Sequence, residues 1–321
     1  MKKKIILVCG DPNSINSEII FKAWKKINES TKKRIYLIGS YNLLLKQFKR
    51  LNYSIKCSLV KNIYEEVNSS KLKIININLK FSNPFNINNK ISSRFVKKSL
   101  NLAHKIALDK NVVGIINCAI SKSLLSKRGI GVTEYLSKKC NLKEDSEIML
   151  IHNKNLSVLP LTTHINLKNV AAKISKALIF KKIKAARNWY IKIFKKDPYF
   201  GILGLNPHNG ELRNDSEESK IIIPAIKRIR KIGIKVNGPL VSDTVFISEF
   251  KNYDIIVGMY HDQVLTPFKT LHKFDAINVT IGLKYFRASP DHGTALNLIR
   301  KKQANPLSLI KCFNFIDKLC K

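Results

Sequence analysis

Three histidines follow three apolar runs of the sequence, each within a short polar motif. The stretch "GMYHDQVLTPFK" (258–269) carries His261, "SVLPLTTHI" reaches His164, and "YFGILGLNPHNGE" reaches His208. Neutral imidazole binds Zn²⁺ and other divalent first-row cations, and three protein ligands leave one position open for a substrate. We therefore predict that these three side chains form a metal site. The alternative is that each is an ordinary polar residue of a surface loop.

Charged side chains near these motifs suit an acidic substrate. Asp262 directly follows His261, so its carboxylate could orient the imidazole, act as a base or add a ligand. Lys269 and Arg287 can hold a phosphate or a carboxylate, the arginine through two parallel hydrogen bonds and the lysine as a point charge. The apolar context "YFRAS" favours a buried Arg287, whereas Lys269 taken alone is also explained as one of many surface lysines. We predict Asp262 and Lys269 as the catalytic residues.

The elements that position these side chains alternate between two patterns. Continuous apolar runs such as "KIILVC", "VVGIINC" and "DIIVGM" are typical of strands covered on both faces. Between such runs, stretches such as "SSRFVKKSLNLAHKIAL" have helical spacing of their apolar residues. This alternation predicts an α/β fold with a mainly parallel sheet. Ligands of such folds bind beyond the carboxyl ends of the strands, where the three histidines fall.

Length and composition narrow the class of protein. The chain has 321 residues, enough for one large domain or two of ordinary size, and 45% of them are hydrophobic. No apolar run approaches the roughly 20 residues needed to cross a bilayer. The first apolar patch, in "MKKKIILVCGDP", is too short for a signal peptide, so we predict a cytoplasmic protein with no membrane partner. The cysteines are scattered without a CxxC pair, which indicates reduced and mostly buried thiols at Cys9, Cys57, Cys118, Cys140, Cys312 and Cys320.

The formal net charge of +36 raises the question of a nucleic-acid partner. The lysines are spread over nearly every segment, and no Arg-rich arm, RNP-like motif or zinc finger accompanies them. A generic basic surface, which helps to attract an anionic substrate, is therefore favoured over a polyanion-binding role, and we predict no specific nucleic-acid partner. The sequence also has no GxGxxG after its first strand, no Walker A loop and no GxSxG elbow.

Taken together, the motifs resemble the PdxA family of 4-hydroxythreonine-4-phosphate dehydrogenases. The resemblance covers essentially the whole chain and is densest from residue 160 to residue 300. The segments that carry it are, in order, "GDP…EI" (10–19), "TTHI" (162–165), "GLNPHNGE" (204–211), "NGPLVSDT" (237–244), "MYHDQ…PFK" (259–269), "NVTIGL" (278–283) and "R.S.DHGTA" (287–295).

The resemblance implies a specific reaction. Enzymes of this family oxidise 4-phosphohydroxy-L-threonine with NAD or NADP and decarboxylate the product to 3-amino-2-oxopropyl phosphate, a step of pyridoxal phosphate (vitamin B6) biosynthesis. A divalent metal (Zn, Mg or Co) binds the hydroxyl and the carboxylate of the substrate and acts as a Lewis acid. The implied cofactors are therefore NAD or NADP and one divalent metal, and the implied small-molecule partner is a phosphorylated substrate.

The resemblance also implies residue roles and an architecture. Metal ligands fall on His164, His208 and His261, and substrate contacts fall on Thr133, Lys269, Asn278 and Arg287. Neighbours of the cofactor fall on His292, Gly293, Thr294 and Ala295. The implied fold has two α/β/α domains with a cleft between them, like isocitrate and isopropylmalate dehydrogenases, and a homodimer with a shared active site. We predict that residues 1–125 and about 290–321 form the first domain, and that residues 126–289 carry most of the metal and substrate site.

The chain departs from the family pattern in places that bear on the substrate. Val132-Thr133-Glu134 stands where the family usually has His-Thr-Glu, so one hydrogen-bonding substrate contact is lost. The turns "GDPNSINSE" and "LNLIRKKQANP" also lack glycines that are usual in the family. These changes keep two alternatives open. One is the same chemistry on a four-carbon sugar-acid phosphate, threonate or erythronate 4-phosphate, and the other is a metal- or phosphate-binding relative with impaired catalysis.

Overall fold

The structure, a computed structural model, describes residues 3–65, 67, 70–126, 130–142 and 147–319. Its contacts divide the chain into two compact units. Unit 1 comprises residues 1–143 and 283–321, and unit 2 comprises residues 144–282.

Strands and helices alternate through the described residues. The strands are β1 (Lys4–Val8), β2 (Ile35–Gly39), β3 (Cys57–Val60), β4 (Leu72–Asn76), β5 (Val112–Asn117), β6 (Ile148–His152), β7 (Ser157–Pro160), β8 (Phe200–Leu203), β9 (Val236–Leu240), β10 (Ile255–Gly258), β11 (Ile277–Ile281) and β12 (Phe286–Pro290). The α-helices are α1 (Asn16–Lys26), α2 (Glu29–Lys32), α3 (Tyr41–Arg50), α4 (Asn89–Ala107), α5 (Val132–Lys139), α6 (Val170–Lys173), α7 (Lys176–Phe194), α8 (Ile223–Lys231), α9 (Ser242–Val245), α10 (His261–His272) and α11 (Leu307–Lys318).

Unit 1 is built on a parallel sheet with the strand order β3-β4-β2-β1-β5-β12. The central strand β1 is apolar along its length, and Ile5, Ile6, Leu7 and Val8 are each at most 1% exposed. Such a strand must be covered on both faces, which is why the apolar run is continuous and does not alternate.

Unit 2 is built on a mixed sheet with the order β11-β6-β7-β10-β8-β9. Strand β6 runs antiparallel to β11 and to β7, whereas β7, β10, β8 and β9 are mutually parallel. The carboxyl ends of β7, β10 and β8 therefore lie side by side at one edge, with β10 in the middle. Parallel neighbours are about 4.8 Å apart, so segments leaving these strands start close together.

Helix α10 begins directly at this edge, three residues after β10. Its buried residues Val264, Leu265 and Phe268 have the spacing of one helical face. They pack in a core cluster that includes Val158 of β7 and Ile256 of β10. This packing anchors the helix, so that its first turn, which starts at His261, stays at the carboxyl edge of the sheet.

The unit boundaries differ from those that the sequence predicts. The prediction separates the domains after residue 125 and near residue 290, whereas the contacts separate them after residues 143 and 282. Helix α5 belongs to unit 1 because it packs on α4, where the Tyr135 hydroxyl donates to Oδ1 of Asn101 at 2.9 Å. Strand β12 belongs there because it pairs in parallel with β5. Both associations join residues far apart in sequence.

The thiols are reduced in the described residues. Cys9, Cys118, Cys140 and Cys312 are buried and free, and Cys57 is partly buried and free. Cys320 lies outside the described residues. Among the helices that the structure describes, none has both the length and the apolar composition that crossing a membrane requires.

Candidate functional site

The three predicted metal ligands lie on segments that leave three adjacent strands of unit 2. His164 follows β7, His261 follows β10 and His208 follows β8. The rings of His164 and His261 are neighbours, with their centroids 5.9 Å apart. Nε2 of His208 lies 3.9 Å from Oδ2 of Asp243. The topology thus brings the three histidines to one edge of the sheet. Of these, the rings of His164 and His261 contact each other.

The donor chemistry of this edge suits a divalent cation. Oδ1 of Asp262 lies 2.6 Å from Nδ1 of His261, and a carboxylate can only accept, so Nδ1 carries the proton and Nε2 is left as an electron-pair donor. A carboxylate that holds an imidazole in this way is the usual support of a histidine ligand. In the part of the chain that the structure describes, no three His, Cys, Asp or Glu side chains are gathered closely enough to hold a metal ion as they stand. The three-histidine metal site therefore stays a prediction.

Thr162 explains why His164 and His261 are close. Its backbone N–H and its Oγ1 both donate to the carbonyl oxygen of Met259, at 3.2 and 2.7 Å. His164 comes two residues after Thr162, and His261 comes two residues after Met259. This double link joins the ends of β7 and β10, so the two histidines leave the sheet from neighbouring points.

The segment that carries His208 has an unusual backbone. Within the irregular turn Pro207–Leu212, left-handed dihedral angles with φ between 49° and 61° occur at His208, Asn209, Gly210 and Glu211. A left-handed conformation costs roughly 1–2 kcal/mol per non-glycine residue. Such strain persists only where the surroundings impose it, and it is concentrated at functional sites. The backbone of this turn is therefore an independent indication of function.

A buried carboxylate, that of Glu218, holds the start of this turn. Its Oε1 accepts hydrogen bonds from the amides of Leu205 and Asn206 at 2.7 and 2.8 Å, and its Oε2 accepts one from Nδ2 of Asn206 at 2.9 Å. Burial alone would raise the pKa of Glu218, but the hydrogen bonds from Asn206 and Leu205 outweigh it, so the pKa lies below its ordinary value. Sequence reasoning missed Glu218. The available signal was a glutamate pair directly before the helical pattern "SKIIIPAI".

Two glycines make room for the close packing of the turn. A Cβ atom on Gly204 would lie 2.2 Å from Oδ1 of Asn209, and one on Gly210 would lie 2.9 Å from Cβ of Ser216. Nδ2 of Asn209 also donates to the carbonyl oxygen of Pro239 at 3.0 Å. The motif "GLNPHNG" thus needs both of its glycines, because larger residues would push the turn away from its supports.

Two further predicted residues of unit 2 lie on α10 and β11. Lys269 is exposed and lies seven residues after Asp262, on the same helical face and about 10 Å further along the axis. Asn278 pairs with Ile151 of β6, and its buried Oδ1 accepts no hydrogen bond from any residue that the structure describes. A buried acceptor in this state costs free energy unless a ligand or water satisfies it, which fits the predicted role of Asn278 as a substrate contact.

In unit 1 the structure brings Thr133 and Arg287 together. Arg287 is 3% exposed, its Nε donates to Oδ1 of Asn117 at 2.8 Å, and its Nη1 donates to Oγ1 of Thr133 at 3.3 Å. Burial lowers the pKa of Arg287 to about 10, which still leaves it positively charged at neutral pH. The side chain is buried, as the apolar context predicted, and a buried cation of this kind suits an anionic group.

The loop with the predicted cofactor neighbours is tied to α1. The carbonyl oxygen of Thr294 accepts from the amide of Ile15 at 3.2 Å, while Ala295 has a left-handed φ of 48°. Further along, Oε1 of Glu18 accepts from the amide of Ala304 at 2.9 Å. His292 and Gly293 form a local contact, in which Nδ1 of His292 donates to the carbonyl of Gly293 at 2.9 Å. The assignment of residues 292–295 to the cofactor stays a prediction.

Lys22 of α1 adds further contacts to the end of this loop. Its Nζ lies 2.7 Å from Oε1 of Glu18 and donates to the carbonyl oxygens of Lys302 and Ala304, both at 2.9 Å. Glu18 is 1% exposed, so the ion pair of Lys22 and Glu18 holds the end of the loop against α1 at a buried position. Sequence reasoning quoted Glu18 within "GDP…EI" but assigned it no role, because its partners come from the other end of the chain.

Comparison with known proteins decides the family. The family described as "Pyridoxal phosphate biosynthetic protein PdxA" matches residues 31–316. The chain is 35% identical over 323 residues to the 4-hydroxythreonine-4-phosphate dehydrogenase of Aquifex aeolicus, with 99% of each chain covered. The chain belongs to the PdxA family. The resemblance stated from the motifs is thereby confirmed, and the family is one of dehydrogenases.

Two further relatives bear on fold and substrate. The crystal structure of the 4-hydroxythreonine-4-phosphate dehydrogenase from Klebsiella pneumoniae matches with a TM-score of 0.84 at 26% identity, covering 100% of this chain and 99% of that one. It confirms the predicted α/β fold. A protein of Oceanobacillus iheyensis, provisionally named as a D-threonate 4-phosphate dehydrogenase, is 29% identical over 327 residues, with 98% and 97% of the two chains covered. The relatives of this chain thus include proteins named for both substrates.

Proposed function

We propose that this PdxA-family protein oxidises and decarboxylates 4-phosphohydroxy-L-threonine to 3-amino-2-oxopropyl phosphate in pyridoxal phosphate biosynthesis. The substrate loses a hydride to NAD or NADP and the hydroxyl proton to the enzyme, and the resulting β-keto acid then loses CO₂ and takes up a proton. The observation that carries the proposal is the proximity of His164 and His261 beyond the ends of adjacent parallel strands, with His208 in the turn that follows the next strand, in a chain similar to the Aquifex enzyme.

The proposed roles follow from the chemistry of each side chain. His164, His208 and His261 would hold a divalent cation (Zn, Mg or Co), which supplies Lewis-acid polarisation of the substrate hydroxyl and carboxylate when it is bound. Asp262 holds the proton of His261 on Nδ1 and is the proposed acceptor of the hydroxyl proton. Lys269 supplies positive charge to the substrate as CO₂ leaves.

The remaining residues are proposed to bind and orient. Arg287 contributes a buried cation for an anionic group of the substrate, and Thr133 and Asn278 contribute hydrogen-bonding groups. The loop that contains His292, Gly293, Thr294 and Ala295 is the proposed cofactor contact. Its tie to α1 gives it a defined position without a GxGxxG turn.

A specific observation favours a second substrate class. Val132, the first residue of α5, precedes Thr133 and can neither donate nor accept a hydrogen bond through its side chain. A pocket that lacks a hydrogen-bonding contact discriminates less strongly between an amino and a hydroxyl substituent. Threonate or erythronate 4-phosphate is therefore the second candidate, in line with the name of the Oceanobacillus relative.

An assay of NADH or NADPH formation tests the proposal directly. The purified protein is incubated with 4-phosphohydroxythreonine and either dinucleotide, with and without a chelator, and in parallel with threonate and erythronate 4-phosphates. We expect turnover of 4-phosphohydroxythreonine that the chelator abolishes and that added Zn²⁺, Mg²⁺ or Co²⁺ restores. Turnover of the sugar-acid phosphates alone would replace the first substrate by the second. Binding of the phosphorylated ligands without any reduced nucleotide would indicate a relative that has lost catalysis.

We also propose a cytoplasmic homodimer in which both subunits contribute to each active site. The proposal rests on the resemblance to the PdxA family, which implies a homodimer with a shared active site. Sedimentation analysis should give the mass of two chains. A monomer that retains full activity would refute the shared site.

A further inference from the structure

One amide side chain, that of Gln263, joins three segments of unit 2. Its Oε1 accepts a hydrogen bond from the amide of Met259 at 2.7 Å. Its Nε2 donates to the carbonyl oxygen of Gly204 at 2.7 Å and to Oγ of Ser242 at 2.8 Å. Both N–H groups of the amide and its carbonyl are therefore engaged at good hydrogen-bond distances.

Each of the three segments carries a polar group of the candidate site. Gly204 opens the turn that leads to His208, four residues on. Met259 precedes His261 by two residues. Ser242 precedes Asp243, whose carboxylate lies 3.9 Å from Nε2 of His208. A single planar group thus sets the spacing between the segment that carries His261 and the segment that carries His208.

The position of Gln263 is itself fixed by packing. A Cβ atom on Gly258 would lie 3.1 Å from Oε1 of Gln263 and 2.5 Å from Cγ1 of Val264. Val264 is fully buried in the core cluster of unit 2. Because the first turn of α10 packs this closely on the end of β10, the backbone at Gln263 stays within reach of the groups that its amide contacts.

The strained turn beyond Gly204 needs such an anchor. The left-handed residues that begin at His208 are stable only if both the start of the turn and its interior are held in place. Glu218 holds Leu205 and Asn206, and Gln263 holds Gly204 immediately before them. The two supports act on consecutive residues, but only Gln263 also contacts Met259 and so relates the turn to α10.

We propose that Gln263 is a positioning residue that sets the placement of His208 relative to His261 and, through it, the affinity of this edge for a divalent cation. The second part rests on the proposed function, in which these histidines bind the cation. The first part concerns the backbone segments alone and stands independently of it. Residues that orient metal ligands through hydrogen bonds commonly change metal affinity about 10–100-fold when they are replaced.

The test uses two replacements of Gln263 in the full-length protein. Gln263→Glu has the same shape and can still accept from Met259, but it sets a carboxylate oxygen against the carbonyl of Gly204. Gln263→Met removes all three hydrogen bonds at similar volume. Gln47→Met is the matched control, since Nε2 of Gln47 in unit 1 also donates to two backbone carbonyls, those of Pro12 and Pro84, at 3.0 and 2.7 Å.

Two quantities are measured for each variant. Hydrogen exchange reports the protection of residues 204–209 and 259–262, and competition with a chromophoric chelator reports the affinity for Zn²⁺. We expect both Gln263 variants to exchange faster in the two segments and to bind Zn²⁺ about 10–100-fold more weakly. The control should melt at a lower temperature than the parent, yet keep the parent's exchange in these segments and its Zn²⁺ affinity.

Each other outcome counts against a defined part of the proposal. Unchanged exchange in both segments of the Gln263 variants would overturn the positioning role. Faster exchange with a Zn²⁺ affinity within twofold of the parent would overturn the link to the cation. A parent protein that binds no Zn²⁺, Mg²⁺ or Co²⁺ would overturn the metal part of the proposed function, while the exchange data would still decide whether Gln263 holds the two segments.

Discussion

The polar side chains that the two units bring to their candidate sites differ in exposure. In unit 1, Glu18 and Arg287 are 1% and 3% exposed, and both are engaged in hydrogen bonds within the unit. In unit 2, His164, Asp262 and the imidazole of His208 are exposed, the last with 73% of its side-chain surface accessible. These two groups of unit 1 are therefore part of its interior, whereas these three groups of unit 2 lie at its surface.

This difference separates two kinds of functional residue. A buried polar group must find its partners when the protein folds, so its replacement costs stability as well as any function. An exposed polar group makes few contacts within the fold and remains available to bind a ligand. Its replacement therefore reduces function and leaves stability almost unchanged. The supports of the exposed groups, such as Glu218, are expected to behave like the buried residues of unit 1.

Arg287→Ala should have the largest effect, because it removes a buried cation and leaves the acceptors on Asn117 and Thr133 without their donor. We expect a loss of about 2–4 kcal/mol in the free energy of unfolding, together with loss of dehydrogenase activity. Urea denaturation and the NADH assay measure the two quantities. Arg287→Lys, which keeps a charge without the planar fork, should lie between the parent and the alanine variant. An alanine variant as stable as the parent would show that the burial of Arg287 contributes nothing to the fold.

His208→Ala should lower the activity far more than the stability. We expect activity to fall at least about 100-fold, with a change in unfolding free energy within about 0.5 kcal/mol, because the ring is exposed and the backbone turn is held by other residues. The same two measurements apply. A variant with parental activity would refute the assignment of His208 as a metal ligand, and a strongly destabilised one would erase the contrast between the two units.

Glu218→Gln should destabilise the protein less than Arg287→Ala and more than His208→Ala. The amide cannot accept all the hydrogen bonds that Leu205 and Asn206 donate, so we expect a loss of about 1–3 kcal/mol and a weaker effect on activity than that of His208→Ala. Glu217→Gln is the matched control. Glu217 accepts the side-chain hydrogen bond from Asn206 at 2.8 Å and does not hold the backbone amides of the turn, so its replacement should change both quantities less.

The acid dependence of stability sharpens the Glu218 prediction. Because its folded pKa lies below the ordinary value of 4.5, the ionised group stabilises the protein fully above that value. The stabilisation is lost as the pH falls from there through the folded pKa. The difference in melting temperature between parent and Glu218→Gln should therefore be constant near neutral pH and shrink in acid. A difference that grows with falling pH would contradict the direction of the shift.

Glu18→Gln should have the smallest effect of the four. The amide can still accept from Ala304 but weakens the ion pair with Lys22, so the loop that ends at residue 304 is held less firmly. We expect the KM for the dinucleotide to rise about threefold to tenfold, equivalent to roughly 1 kcal/mol, with kcat nearly unchanged. Lys32→Gln, which removes an exposed ion pair with Glu29, is the control and should leave KM unchanged.

Some features of the candidate site could be predicted from the sequence and some could not. Imidazoles placed directly after apolar runs identified the strand ends of unit 2, and the apolar context of Arg287 correctly indicated burial. Glu218 and Gln263 received no role, although both lie in or beside quoted motifs. Their importance depends on which backbone groups they meet, and all of those groups except the amide of Met259 lie 12 to 59 residues away along the chain.

By itself the sequence determined the local structure and the family of this protein. The continuous apolar runs specify buried strands, the helical spacing specifies the helices between them, and the ordered motifs specify the PdxA family. Only the tertiary structure decided that β10 lies between β7 and β8, that α5 and β12 belong to unit 1, and that His208 lies on a strained turn held by Glu218. Strand order and such supports arise from contacts between distant segments, whose free energy depends on the packing of the whole unit and leaves no periodic trace in any one segment.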